Sequence, residues 1–155
     1  MTPYKLGDQY VKYTLIPTSA RKSNKPKPLT DSYLSQNIQS HLKAGEASFD
    51  FCVQFFKNDK TTSLKDNMQI WKESDSPYIK VATLTLPKQA VGTQERFEFG
   101  ENLSYSPAHC LNVHQPIGEI NYARLRAYEA MSQFRHGMNE VPINEPSEED
   151  FSRLL

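Results

Sequence analysis

The alternation of hydrophobic and polar positions changes period along this chain. Residues 9–17, Gln-Tyr-Val-Lys-Tyr-Thr-Leu-Ile-Pro, alternate β-forming with polar residues and stop at a proline, which predicts a strand. Residues 47–57 place Phe49, Phe51, Val53 and Phe55 on one side of a second, stronger strand. Ile79 to Leu86 reads as a third, closed by Pro87. Between the first two strands, residues 18–29 read as a solvated basic loop carrying Arg21, Lys22, Lys25 and Lys27. A short helix follows, with Thr30 or Asp31 at its cap, Leu34, Ile38 and Leu42 on its apolar face, and Gly45 at its end. His41 lies beside that face and reads as surface or packing. Residues 58–76 are polar and irregular, with Trp71 their one heavy anchor.

The period lengthens near the C-terminus. From Glu119 to Met138 there is no proline and no glycine before Gly137, and apolar residues recur at Ile120, Ala123, Ala127, Met131, Phe134 and Met138. Steps of three and four are those of a helix with one buried face. At about 100° per residue, Arg124, Tyr128 and Arg135 fall within roughly 40° of one another beside that stripe. Such a line is often only the border between core and solvent, where arginines snorkel and tyrosines pack. A chemical reading is sharper. Arg124 sits one turn before Tyr128, and a permanent cation beside a phenol favours the phenolate. A phenolate is a hard ligand for ferric iron, and tyrosine is one of the few axial ligands used on haem. Arg135 lies roughly 10 Å further along the axis, in reach of a porphyrin carboxylate.

At these residues the chain resembles the haem-dependent catalases, whose proximal helix carries Arg-x-x-x-Tyr, an arginine seven residues later and a glycine two beyond that. Arg124, Tyr128, Arg135 and Gly137 reproduce that spacing. Leu103-Ser-Tyr-Ser-Pro107 through His114-Gln-Pro-Ile-Gly118 is similar to the segment by which a catalase chain approaches this helix. Pro116-Ile-Gly-Glu-Ile-Asn-Tyr-Ala-Arg124 is most similar to the smaller catalase-related haem proteins. The resemblance implies an α+β chain: part of a catalase-like antiparallel β-barrel with a long C-terminal haem-proximal helix. It implies haem b as cofactor, Tyr128 as the iron ligand, and Arg124 and Arg135 as further cofactor-binding residues. Residues 1–142 form the catalase-like half-domain in this reading, and residues 143–155 an acidic, frayed tail. One departure stands out. Catalases follow the tyrosine with proline-aspartate-threonine, whereas here Glu129-Ala-Met-Ser132 allows a continuous helix. The substrate stays open among hydrogen peroxide, organic hydroperoxides and lipid hydroperoxides.

Composition narrows the remaining classes. At 155 residues the chain has the size of one domain. Lysine plus arginine equals aspartate plus glutamate, 18 each, which favours neither nucleic acid nor an anionic membrane. No apolar run approaches membrane-spanning length. The N-terminus shows no apolar signal region, so a cytoplasmic location is the default. Cys52 and Cys110 are spaced for neither a disulfide framework nor zinc. His109, Cys110 and His114 invite a metal reading, but a zinc site wants four ligands, and loop packing is preferred. Peroxide cleavage also needs a distal base. In catalases that base comes from the half of the chain preceding the region matched here, and none of the four histidines sits in a similar context. The expected partners are therefore haem and a distal-half chain or a second copy. The alternative is a haem-free, non-enzymatic remnant or interaction module.

Overall fold

The computed structural model describes residues 1–20 and 25–152. Arg21 and Lys22 of the basic loop lie outside the described residues. Four strands form one antiparallel sheet in the order β1 (Tyr4–Leu6), β2 (Gln9–Pro17), β3 (Ala47–Phe55), β4 (Ile79–Leu86). The three long strands fall where the alternation places them, with β3 ending at Phe55. Pairing of Val11 with Phe55, Tyr13 with Val53 and Leu15 with Phe51 puts the apolar alternates of β2 and β3 on one face. Val11 and Val53 are fully buried there. The fold is the α+β arrangement anticipated, and its sheet does not close into a barrel. β4 is an open edge that leaves Ile79, Val81 and Leu84 exposed.

The reverse face is polar and closed by the 58–76 segment. The Gln54 amide donates to the carbonyls of Trp71 (3.0 Å) and Ser76 (2.7 Å). Trp71 is buried, with the Lys12 ammonium 4.5 Å from its ring centroid. Burial pushes the Lys12 amine below its ordinary value, partly offset by the negative charge of Asp66.

Strand β1 escapes the alternation because three residues carry no readable period. Its partners on the outer side are distant in sequence: Lys5 N–H donates to Gln115 O (2.8 Å) and Gly7 N–H to Val113 O (2.9 Å). Ile117 N–H in turn donates to Pro3 O (3.1 Å). Residues 113–117 thus cover the β1 edge and deliver the chain to α3 (Glu119–Asn139). The turn into α3 needs Gly118, whose φ is +88° and whose added Cβ would stand 3.4 Å from the Leu64 carbonyl.

Helix α1 (Tyr33–Ala44) ends at Gly45 as expected, but its cap is Ser32 rather than Thr30 or Asp31. The Ser32 hydroxyl accepts from the Gln36 side chain instead of a backbone N–H. Helix α2 (Gln94–Glu101) is capped by the Thr93 hydroxyl, which accepts from Arg96 N–H. In the acidic segment after Pro142, α4 (Glu148–Ser152) brings Phe151 edge-on to Phe99, 5.3 Å between centroids. Among the described residues no helix is long and apolar enough to cross a membrane.

Candidate functional site

Helix α3 forms over the predicted span but turns the other way. Its apolar stripe faces solvent: Ile120, Met131, Phe134 and Met138 remain 44–68% exposed. The buried positions are polar, namely Asn121, Ser132 and His136. The reason is hydrogen bonding. Asn121 Nδ2 donates to Pro3 O (2.8 Å) and Ile117 O (2.9 Å), tying the helix to the β1 entry. His136 is wedged between carbonyls, with Nδ1 2.7 Å from Ser132 O and Nε2 2.8 Å from Asn102 O. The Ser132 hydroxyl donates to Ser104 Oγ at 3.1 Å. A buried polar group without partners costs about 1–3 kcal/mol, so these groups fix the rotation of the helix.

Arg124, Tyr128 and Arg135 lie between the polar inner face and the apolar outer stripe. Arg124 is held by three oxygens: its Nη1 lies 3.1 Å from Tyr4 Oη, 3.1 Å from Asn121 Oδ1 and 3.2 Å from Thr2 Oγ1. Its Cζ stands 5.6 Å from the centroid of the Tyr128 ring. The Tyr128 phenol, and after it that of Tyr4, raises the Arg124 guanidinium above its ordinary value against an opposing pull from burial. The cation is thus permanent and fixed in place beside the phenol. Tyr128 is itself 39% exposed, so its ring can be approached from outside.

Tyr4 and Asn121 are site residues that the sequence reading missed. Asn121 had a usable signal, since it precedes Arg124 by one helical step of three. Tyr4 had none, because its partner lies 120 positions away. From Tyr4 an aromatic ladder runs into the sheet, with Tyr13 5.4 Å from Tyr4 and Phe51 stacked 5.3 Å from Tyr13. Burial, then the neighbouring Tyr4 and Cys110, raises the Tyr13 phenol and keeps it protonated.

A cavity of about 430 Å³ opens beside Tyr128, walled by Ser104, Ser106, His109, Leu125 and Ile143. A second, of about 400 Å³, lies between the loop at His109 and the sheet face at Tyr13 and Phe51. His109 and Ser106 line both. His109 Nε2 is 3.7 Å from Glu145 Oε1, and His114 sits in a short turn at Asn112–His114. Cys110 is free and exposed, and Cys52 free and buried. Among the described residues no three His, Cys, Asp or Glu side chains gather as a metal cluster. The Tyr128 side chain borders the first cavity without such a cluster beside it. Arg135 is engaged elsewhere: Nη1 donates to Glu101 O (3.0 Å) and Nη2 to Leu103 O (2.8 Å), which fastens the end of α2 to α3.

Comparison with known proteins agrees with this layout. The catalase family model matches residues 8–153. A fungal catalase superposes with a TM-score of 0.71 at 17% identity, covering 89% of this chain and 30% of that one. Catalase A from Saccharomyces cerevisiae gives 0.72 at 16% identity, with 94% and 33% covered. A bacterial catalase gives 0.60 at 17% identity, with 94% and 32% covered. No curated protein matches the chain in sequence. The chain spans about a third of the length of the solved catalases it superposes on. With a family match over nearly its whole length and the same fold, this chain belongs to the catalase family.

Proposed function

We propose that this chain is the haem-proximal part of a catalase-like protein of peroxide metabolism, binding haem b through Tyr128. The observation that carries the reading is Arg124, a permanent cation fixed by Tyr4, Asn121 and Thr2 beside a solvent-accessible Tyr128. It sets a positive charge beside the side chain that would hold the iron, and its three anchors keep it there. Bound haem supplies the redox-active iron on which peroxide chemistry depends. Tyr128 would hold that group, and Arg124 would keep a positive charge beside the holding side chain. Leu125 and Ile143 supply the apolar part of an adjoining cavity whose other walls include Ser104, Ser106 and His109. Arg135 serves a propionate in this reading only by exchanging one of its bonds to Glu101 O or Leu103 O.

Peroxide cleavage also calls for a distal base, which this reading takes from a segment other than these residues. A positioned acid–base group typically contributes about 10²–10⁴-fold. Turnover of hydrogen peroxide per bound iron should therefore exceed that of haemin in the same buffer by no more than about tenfold. Adding a separately produced distal-half chain should raise it well beyond that margin. A high rate from this chain alone would place the distal base within these residues or on a second copy. A second reading, a haem-free interaction module, is favoured by the open β4 edge and the exposed stripe of α3. That reading predicts no saturable haemin binding at all.

A further inference from the structure

We propose that residues 141–152 form a strap that gates the Tyr128 cavity, swinging as one piece from the closed position it occupies to an open one. The strap begins at a reversal of the chain. At the end of α3, Glu140 takes the left-handed conformation (φ +55°), and Val141 N–H donates back to His136 O (3.1 Å). The reversal brings Ile143 into the wall of the Tyr128 cavity, the one lining residue that lies beyond α3. Two residues later, Glu145 Oε1 stands 3.7 Å from His109 Nε2, on the loop that forms another wall. The strap thus bridges α3 and the 104–109 loop. At its far end, α4 is closed on itself by bonds between Ser147 and Asp150, and Phe151 rests edge-on against Phe99 of α2.

Side chains alone hold the strap closed. Among the described residues, 142–146 make no backbone hydrogen bond to the rest of the fold. Pro142 and Pro146 lack the N–H that could make one, and their fixed φ stiffens the stretch between them. The contact at Glu145 is open to solvent, and such pairs hold little. The anchor is loosely seated: a space of about 390 Å³ stays open beside Phe151, among Gln89, Val91, Phe99 and Leu103. Ile143 and Phe151 are both half-exposed. The neighbouring walls are built differently, since Ser104 and Leu103 are bonded to α3 through Ser132 and Arg135. Segments with few buried contacts and no backbone bonds are the ones that open locally. Release of the strap removes Ile143 from the cavity and frees His109, which lines both this cavity and the one over Tyr13. What passes the gate rests on the haem reading, whereas the gate itself does not.

The test is thiol labelling of the whole chain, without haem, at a probe placed on the cavity wall. Ser104→Cys supplies the probe, Cys110→Ser removes the exposed thiol, and buried Cys52 reports any general loosening. A bulky maleimide should label this parent slowly. Phe151→Ala, at a half-exposed position, should speed labelling of the probe about tenfold, as loss of an edge-on aromatic pair would. Glu145→Gln should speed it by no more than about threefold, as befits an exposed pair. Labelling of the parent as fast as that of the unfolded chain, or a rate indifferent to Phe151→Ala, overturns the proposal. So does an acceleration that Cys52 shares, because the chain would then have loosened as a whole. Failure of haemin to bind would leave these rates untouched, so the gate and the haem reading fail separately.

Discussion

The inner face of the sheet and the inner face of α3 are made of opposite materials. In the sheet, Val11, Val53, Tyr13 and Phe51 pack by shape and apolar area, and the polar alternates point to the reverse side. In α3, the buried positions are Asn121, Ser132 and His136, and the apolar residues point outward. Apolar packing is non-directional, so it sets which face is buried but tolerates small shifts. Hydrogen bonds to Pro3 O, Ile117 O and Asn102 O allow only one rotation and one axial position of α3. The helix carrying Arg124 and Tyr128 is thus placed by directional contacts, which fix side-chain positions more closely than apolar packing does. Its outward stripe, like the edge of β4, is apolar surface left uncovered among the described residues.

The largest effect should come from breaking the polar face. Asn121→Leu leaves the Ile117 carbonyl and one side of Arg124 without a partner and takes one of two donors from Pro3 O, which should destabilise the chain by about 2 kcal/mol in urea denaturation. A loss below about 1 kcal/mol would mean that α3 is held by apolar packing after all. A smaller effect is expected on the polar side of the sheet, where Lys12 rests on Trp71. Its folded-state value lies below the unfolded 10.5, so the unfolded chain binds the extra proton between the two values. Stability should therefore rise with pH as Lys12 sheds its charge, levelling off above 10.5, and Lys12→Met should flatten that rise. An identical pH profile for the two proteins would remove Lys12 from the account. The smallest effect should be that of Phe134→Gln, on the outward stripe. It should change the stability of the isolated chain by no more than about 0.5 kcal/mol. A larger loss would show that the stripe is already covered, by self-association or by another part of the fold.

The sequence was legible where a period is local and a face is judged by its neighbours in the chain. Strands β2 and β4 could be bounded to the residue, because Pro17 ends the first and Pro87 directly follows the second. The existence of α3 was equally plain. Its orientation was not, because the three-and-four spacing points the stripe inward by convention, while the deciding bonds reach residues such as Pro3, 118 positions away. The same distance hid Tyr4 as a partner of Arg124. The proximity of Arg124 to Tyr128 was readable from one helical turn, and the structure keeps them together. The engagement of Arg135 by the end of α2 was not readable, since Glu101 and Leu103 lie more than thirty residues upstream.

The central claim is that Tyr128 holds the iron of a bound haem, and a haemin titration followed in the Soret and visible bands tests it directly. Wild type should give a saturable, shifted Soret band with high-spin ferric features and a tyrosinate component. Tyr128→Phe, which removes the only oxygen of that side chain, should abolish the tyrosinate component. A saturable band left unchanged by Tyr128→Phe would contradict the account and assign the iron to another residue.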